Sequence, residues 1–315
     1  MSRKRLAAVT ALVVALTSAA AVASVTAGAT TARHQGGAVK LGFITKFPVD
    51  FYFTLVGGAK GWAASHKNVS VMYAQGKAAT DDAGEIAAIQ DMVASGVKGI
   101  AITPTSPAVI PALNKAVKAG VKVVLMDNDL PTWKLKSSVV ATNNLKGGQL
   151  AGQFLAGKLK AGDTLGILEG VPGVPALDDR VTGMLSGLGS AKSSIKVVSK
   201  LETDCDQTKG ASAAQTMLTA NPNLTAIYSA CGPPALGAIQ SIKNAGAKSV
   251  ILVGFDGSPG EIEAIKAGTE AASVAQHPAK IGSLGIATLY DAVQGKKVPK
   301  NVDTGTTLIT AQNAK

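Results

Sequence analysis

Short apolar runs alternate with amphipathic segments along most of the chain. Residues Val39–Thr45, 69–74, 97–103 and 121–126 are runs rich in apolar residues, each separated from the next by a stretch of helix length. Near-continuous apolar strands belong to parallel sheets covered on both faces. Between the second and third runs, Ile86, Ile89 and Val93 recur at helical spacing. Asp81, Asp82 and Glu85 fall in the first turn, where carboxylates complement the helix dipole, and Gly96 supplies the stop. The pattern restarts after 138–142, with strands predicted at 164–168, 195–201, 224–229 and 250–255 and helices starting near Pro175, Gln207, Pro233 and Pro259. Two successive doubly wound α/β units are therefore predicted.

In open parallel sheets, ligands gather beyond the carboxyl ends of the strands. The segments at those ends are polar or aromatic: Lys46-Phe-Pro-Val-Asp-Phe-Tyr-Phe53, Asp127-Asn-Asp129, Glu169-Gly-Val-Pro172, Thr203-Asp-Cys-Asp206, Ala230-Cys-Gly-Pro233 and Asp256-Gly-Ser258. Several polar groups thus converge on one end of each predicted sheet. The chain holds six Phe, four Tyr and two Trp, yet Phe43, Phe47, Phe51, Tyr52 and Phe53 crowd around the first strand and its exit. Phe43 suits a core position. Phe51 and Tyr52 sit where the loop enters a helix, and their rings are better placed to cover the apolar face of a ligand.

The N-terminus changes the picture of charge. Arg3, Lys4 and Arg5 precede an Ala/Val/Leu-rich stretch over residues 6–23 that ends in small residues, the pattern of a secretory signal peptide. An uncleaved membrane anchor is the alternative, since the run approaches the ~20 residues of a span. Residues 27–37 read as a tether, and no Cys follows the apolar run to take a lipid. The net charge of +11 includes Arg3, Lys4, Arg5 and Arg33; without these four, 27 basic residues face 20 acidic ones, a net +7. The remaining lysines are scattered, not clustered with aromatics, so no nucleic-acid partner is expected.

Catalytic motifs are scarce. The three histidines, His34, His66 and His277, lie far apart in the chain, and H-E-x-x-H, C-x-x-C and G-x-S-x-G patterns are absent. No enzyme activity, metal or cofactor is predicted. Gly152 to Lys158 has the spacing of a phosphate loop, but Leu159 follows where a hydroxyl would be needed, and Leu150, Phe154, Leu155 and Leu159 continue a helical pattern. Asp127 and Asp256 each directly follow an apolar strand, one in each half. Both fit turn or cap positions, and both fit a cleft closed from two sides. Cys205 and Cys231 follow consecutive strands; in an oxidising compartment they are a disulfide candidate, with buried free thiols as the alternative.

Residues Val253-Gly-Phe-Asp-Gly257, Ala271-Ala-Ser-Val-Ala-Gln276 and Pro278-Ala-Lys-Ile-Gly282, with Ile102-Thr-Pro-Thr105, Leu125-Met-Asp127, Ala235-Leu-Gly237 and Arg180 before Val181-Thr-Gly183, resemble the periplasmic pentose- and hexose-binding proteins, those for ribose above all. The likeness spans about 39–310. It implies a type I periplasmic-binding-protein fold, two doubly wound parallel-sheet lobes joined by a three-stranded hinge. The lobes would be 38–141 plus 277–303 and 142–276 plus 304–315, with residues 1–37 as signal peptide and tether. The resemblance implies capture of a sugar or similar small polar molecule by hinge closure, by a monomer exported to the periplasm or outer face of the cytoplasmic membrane, and delivery to the permease of an ABC importer. A sugar-sensing domain without a transport role is the alternative. Carried over position by position, Phe51 and Tyr52 match stacking aromatics, Asp127 and Asp256 hydroxyl-binding carboxylates, Arg180 an arginine, Gln276 an amide and Thr45 a small hydroxyl. The chain departs from the pattern at Asn128, where an arginine is usual, at Cys205 in place of an aromatic, and at Cys231 and Val49 in place of asparagines. Lys46, Asp50 and Asp129 are the polar residues nearby that stand in for the missing contacts.

Overall fold

The structure is a computed structural model that describes residues 38–315; the expected signal segment and tether, with His34, lie outside the described residues. Its first part runs β1 (Val39–Thr45), α1 (Asp50–Ala64), β2 (Val69–Gln75), α2 (Asp82–Ala94), β3 (Gly99–Ile102), α3 (Ile110–Lys118), β4 (Lys122–Met126) and β5 (Ser138–Ala141). The second runs α4 (Asn144–Ala156), β6 (Thr164–Glu169), α5 (Pro175–Gly187), β7 (Lys196–Glu202), α6 (Gln207–Ala220), β8 (Ala226–Ser229), α7 (Gly232–Asn244), β9 (Ile251–Asp256), α8 (Pro259–Lys266) and β10 (Ala272–Ala275). The chain then supplies α9 (Pro278–Val293), β11 (Asn301–Asp303) and β12 (Thr307–Thr310).

Two six-stranded sheets result, ordered β11-β5-β4-β3-β1-β2 and β12-β10-β9-β8-β6-β7. Every pairing is parallel except β10 with β12. Alternation along the strands explains why both faces are apolar. In the first sheet Leu41, Phe43, Ala101, Val124 and Met126 pack beneath α1 and α9, while Ile44, Ile100, Ile102, Val123 and Leu125 pack against α2 and α3. In the second, Leu165, Ile167, Tyr228, Val253 and Phe255 meet α4 and α5, and Leu168, Ile227 and Leu252 meet α6 and α7. The chain passes between the sheets three times: between β5 and α4, between β10 and α9, and between β11 and β12.

Packing of α4 on α5 depends on the absence of side chains at Gly148 and Gly183. A Cβ at Gly148 would run into the carbonyl of Arg180, and one at Gly183 into the carbonyl of Leu145. This close approach sets the height of Arg180 above the second sheet. Gly152, the first glycine of the phosphate-loop-like spacing, lies in the same contact, against the carbonyl of Met184, within a regular helix.

One expectation for α2 is corrected. Asp81 precedes the helix as its N-cap and accepts a hydrogen bond from the Gly84 amide at 3.0 Å. Glu85 lies in the first turn as expected and is buried there: its Oε2 accepts from the Thr105 amide at 2.8 Å and the Thr105 hydroxyl at 2.7 Å. The residue tethers the loop beyond β3, and burial, its first cause, lifts its carboxyl to about 7. Among the described residues no helix is long and apolar enough to cross a membrane.

Candidate functional site

A cavity of about 670 Å³ opens between the two sheets, at the carboxyl ends of their strands. Among the described residues only four that are not glycine have left-handed φ: Asp127 (61°), Asp204 (50°), Cys205 (54°) and Asp256 (105°). All four line this cavity. Backbone held in such conformations costs energy and collects at functional sites, where the surrounding structure over-determines it.

In the second-sheet wall, buried Arg180 forms an ion pair with the partly buried Asp256, Nη1 to Oδ1 at 3.2 Å. Arg180 also donates from Nε to Asn144 Oδ1 at 2.8 Å and from Nη1 to the Ala230 carbonyl at 2.9 Å, and its guanidinium carbon lies 4.0 Å over the Phe255 ring. Asp256 accepts from Gln276 Nε2 at 2.6 Å and from the Gly232 amide, the first residue of α7, at 2.9 Å. The Gln276 carbonyl oxygen Oε1 is buried without a partner. Beside this cluster, Cys205 and Cys231 form a disulfide with their Cα atoms 5.5 Å apart, and both line the cavity.

The first-sheet wall is built differently. Asp127 directly follows β4, 6% exposed, and its Oδ2 accepts from the Tyr52 hydroxyl at 3.2 Å while Oδ1 has no partner among the described residues. Burial pushes the Asp127 carboxyl above its usual range, against the pull of Arg180 and Lys46. Burial, then the Asp127 charge, raises the Tyr52 hydroxyl well above its ordinary value. Lys46 is 4% exposed and lines the cavity; burial lowers its ammonium, opposed by Asp127 and Glu85. Phe47 and Phe51 meet the Tyr52 ring edge-on, with centroids 5.3 and 5.1 Å away, so the three rings form one apolar corner of the cavity.

Of the residues singled out in the sequence, Phe51, Tyr52, Asp127, Asn128, Arg180, Cys205, Cys231, Asp256 and Gln276 line the cavity together. The amide of Asn128 is already committed to the Pro104 carbonyl at 3.3 Å. Thr45, expected at the ligand, does not line the cavity: it pairs in register with Gln75 on β2, and its hydroxyl accepts from Gln75 Nε2 at 3.2 Å. Lys46, one residue on, takes the place facing the cavity. Asp129 also turns away, bound to Lys136 at 2.6 Å. The loop Lys77-Ala-Ala-Thr80 lines the cavity too. It was missed although it directly follows β2, the position that marks every other loop of the site.

Two parallel-sheet lobes with convergent polar groups in the cleft between them define a small-molecule binding protein of the two-lobed α/β type. The chain belongs to the family described as periplasmic binding protein domain, which matches residues 41–297. It is 34% identical to the ribose import binding protein of Bacillus subtilis over 226 residues, 71% of this chain and 72% of that one. It is 32% identical to the D-ribose/D-allose-binding protein of Pseudomonas aeruginosa over 275 residues, covering 83% and 85% of the two chains. Among solved structures, an ABC transporter solute-binding protein from Mycobacterium smegmatis with bound glycerol superposes with a TM-score of 0.83 at 29% identity, covering 88% of this chain and 96% of that one.

Proposed function

We propose that the protein captures a monosaccharide or a polyol between its lobes and presents it, chemically unchanged, to the membrane permease of an ABC importer on the outer side of the cytoplasmic membrane. The observation that carries the reading is the set of polar groups left without partners around the cavity: Asp127 Oδ1 and Gln276 Oε1 are buried acceptors, and no hydrogen bond to a described residue engages the Lys46 ammonium. A buried polar group without a partner costs about 1–3 kcal/mol, a cost that a bound hydroxyl removes. Hydroxyls serve both kinds of group, donating to the two acceptors and accepting from Lys46. The Phe47, Phe51 and Tyr52 corner suits the C–H face of the same molecule. The relatives support the class, since they are named for ribose and allose or hold glycerol.

In this reading the lobes are 38–141 with 277–303 and 142–276 with 304–315, and they close about the three crossovers. Residues 1–37 direct export. The test is a thermal-shift screen of the purified protein against aldopentoses, aldohexoses, furanoses and linear polyols, followed by calorimetry on those that act. A ligand bound only by the folded protein raises its stability by about 2.7 kcal/mol at a hundredfold excess over Kd. One or more of these compounds should raise the melting temperature in this way; a flat response across the whole panel would overturn the proposal.

A further inference from the structure

The second-lobe side of the cavity contributes no aromatic ring; its apolar surface consists of Val171, Leu177, Leu236, Pro233 and the Cys205–Cys231 bridge. The bridge joins two loops that are otherwise separate. Its Cys231 end lies between the two backbone groups that hold the charged pair: the carbonyl of Ala230 accepts from Arg180, and the amide of Gly232 donates to Asp256. Any shift of Cys231 therefore moves both.

The Cys205 end lies in a loop anchored on either side. Thr203 is buried and donates its hydroxyl to the Glu169 carbonyl at 2.6 Å, and Asp206 caps α6 by accepting from the Lys209 amide at 2.8 Å. Between these anchors Asp204 and Cys205 are both left-handed, a conformation that two consecutive residues other than glycine adopt only under constraint. The stretch is a tight turn closed by the Asp206 amide donating to the Thr203 carbonyl at 2.8 Å, and the bridge and the ion pair from Lys209 to Asp204 hold its two central residues from outside. The sulfurs pack on Val171, Val174 and Leu177 beyond β6, so three second-lobe loops meet at the bridge.

We infer that the Cys205–Cys231 disulfide is a positioning element of the capture site, holding Arg180, Asp256 and the loop at Asp204 in their binding arrangement before the ligand arrives. The inference rests on the cleft being the capture site. Pre-ordering of this kind raises affinity by removing the entropy that binding would otherwise spend on the loops. The bridge joins two loops and takes no part in the strand pairings of the second sheet, so its loss should act on the site more than on the lobe.

Reduction of the folded protein by a water-soluble phosphine tests this. It adds two electrons and two protons to the bridge to give two thiols, the phosphine taking up oxygen from water, and partly exposed Cys205 offers a route to the sulfurs. Hydrogen exchange should accelerate about tenfold in peptides covering 203–206 and 230–233, with β8 and β9 unchanged. Calorimetry with D-ribose, D-allose and glycerol should show each compound bound by the oxidised protein held about tenfold more weakly after reduction, and restored on reoxidation. The double variant Cys205→Ser, Cys231→Ser should match the reduced protein, with wild-type circular dichroism. Exchange that stays constant, or rises evenly over the whole second lobe, would overturn the inference, as would equal affinities before and after reduction. If the oxidised protein binds none of the three compounds, nor any of the wider panel, the sugar reading falls, while the exchange experiment still decides whether the bridge positions these loops.

Discussion

The two walls of the cavity are built on opposite principles. In the second lobe Asp256 is held by Arg180, Gln276 and the Gly232 amide, and the neighbouring loops are tied by a disulfide. In the first lobe Asp127 has one bonded oxygen and one without a partner, and Lys46 sits beside it with its ammonium depressed by burial. In the second wall the charged pair is matched before a ligand arrives and only the Gln276 carbonyl oxygen is left open; in the first, the buried carboxylate itself is left half-bonded. Pre-organised groups set where a ligand sits, and unsatisfied ones decide which ligand is worth binding. Removing a charged group should therefore cost stability as well as affinity in the second wall, and affinity alone in the first.

Asp256→Ala should have the largest effect, because it strands the Arg180 guanidinium in a buried position. Breaking a buried pair by removing one partner costs about 3–5 kcal/mol, so denaturant unfolding should show a loss of this order together with abolished binding. Asp127→Asn should separate the two quantities. Stability should be unchanged or raised, since a carboxylate that burial penalises is removed, while calorimetry should show affinity for the identified sugar or polyol lowered about 10- to 100-fold. Equal losses of stability in both variants would erase the contrast between the walls.

The pH dependence of stability sharpens the comparison beneath the second wall. Glu261 and Glu270 are buried together below Asp256; burial is the first cause that lifts Glu261 to about 8 and Glu270 well above its ordinary value, and each is next affected by a neighbouring carboxylate. In the folded state these groups hold protons that the unfolded chain has already released above its ordinary value of 4.5. Their contribution to stability is thus complete below that value, declines as pH rises, and levels off beyond the folded value. Urea unfolding should show stability falling between about pH 5 and about pH 8, and Glu270→Gln should flatten the decline. Glu85 in the first lobe, at about 7, adds a decline of the same sign over a narrower range, so Glu85→Gln should remove only its lower part.

The smallest effect belongs to the apolar corner. Phe51→Ala should weaken binding about 3- to 10-fold, the value of one aromatic contact, without altering the fold. Glu263→Ala, an exposed α8 residue paired with Lys266, should change neither affinity nor stability. Asp81 is unsuitable as such a control, because it caps α2 and also accepts from the Lys77 amide in a loop that lines the cavity.

Much of this was legible in the sequence. Uninterrupted apolar strands and intervening amphipathic helices are local patterns, and each predicted strand appears within a few residues of its place. The rule that polar groups gather after parallel strands located Asp127, Asp256, Phe51 and Tyr52 at one cavity. Cys205 and Cys231 were legible as a candidate pair because they follow consecutive strands, although β6 lies between those strands in the sheet and it is the loops beyond β7 and β8 that bring the two residues together. Thr45 was misjudged, and the burial of Glu85 within its expected first turn went unforeseen, for one reason. Whether a side chain at the end of a strand or the start of a helix turns inward depends on what lies beside it, Gln75 in one case and Thr105 in the other.

The sequence by itself determined the two α/β units, their order and the strand ends at which chemistry gathers, because periodicity and strand-exit residues act over a few positions. Only the tertiary structure decided which groups meet. Arg180 finds its partners 36, 50 and 76 residues away, at Asn144, Ala230 and Asp256. Those meetings are set by the order of strands in the second sheet and by the glycine contact that lets α5 approach α4, neither of which is written in any short stretch of the chain.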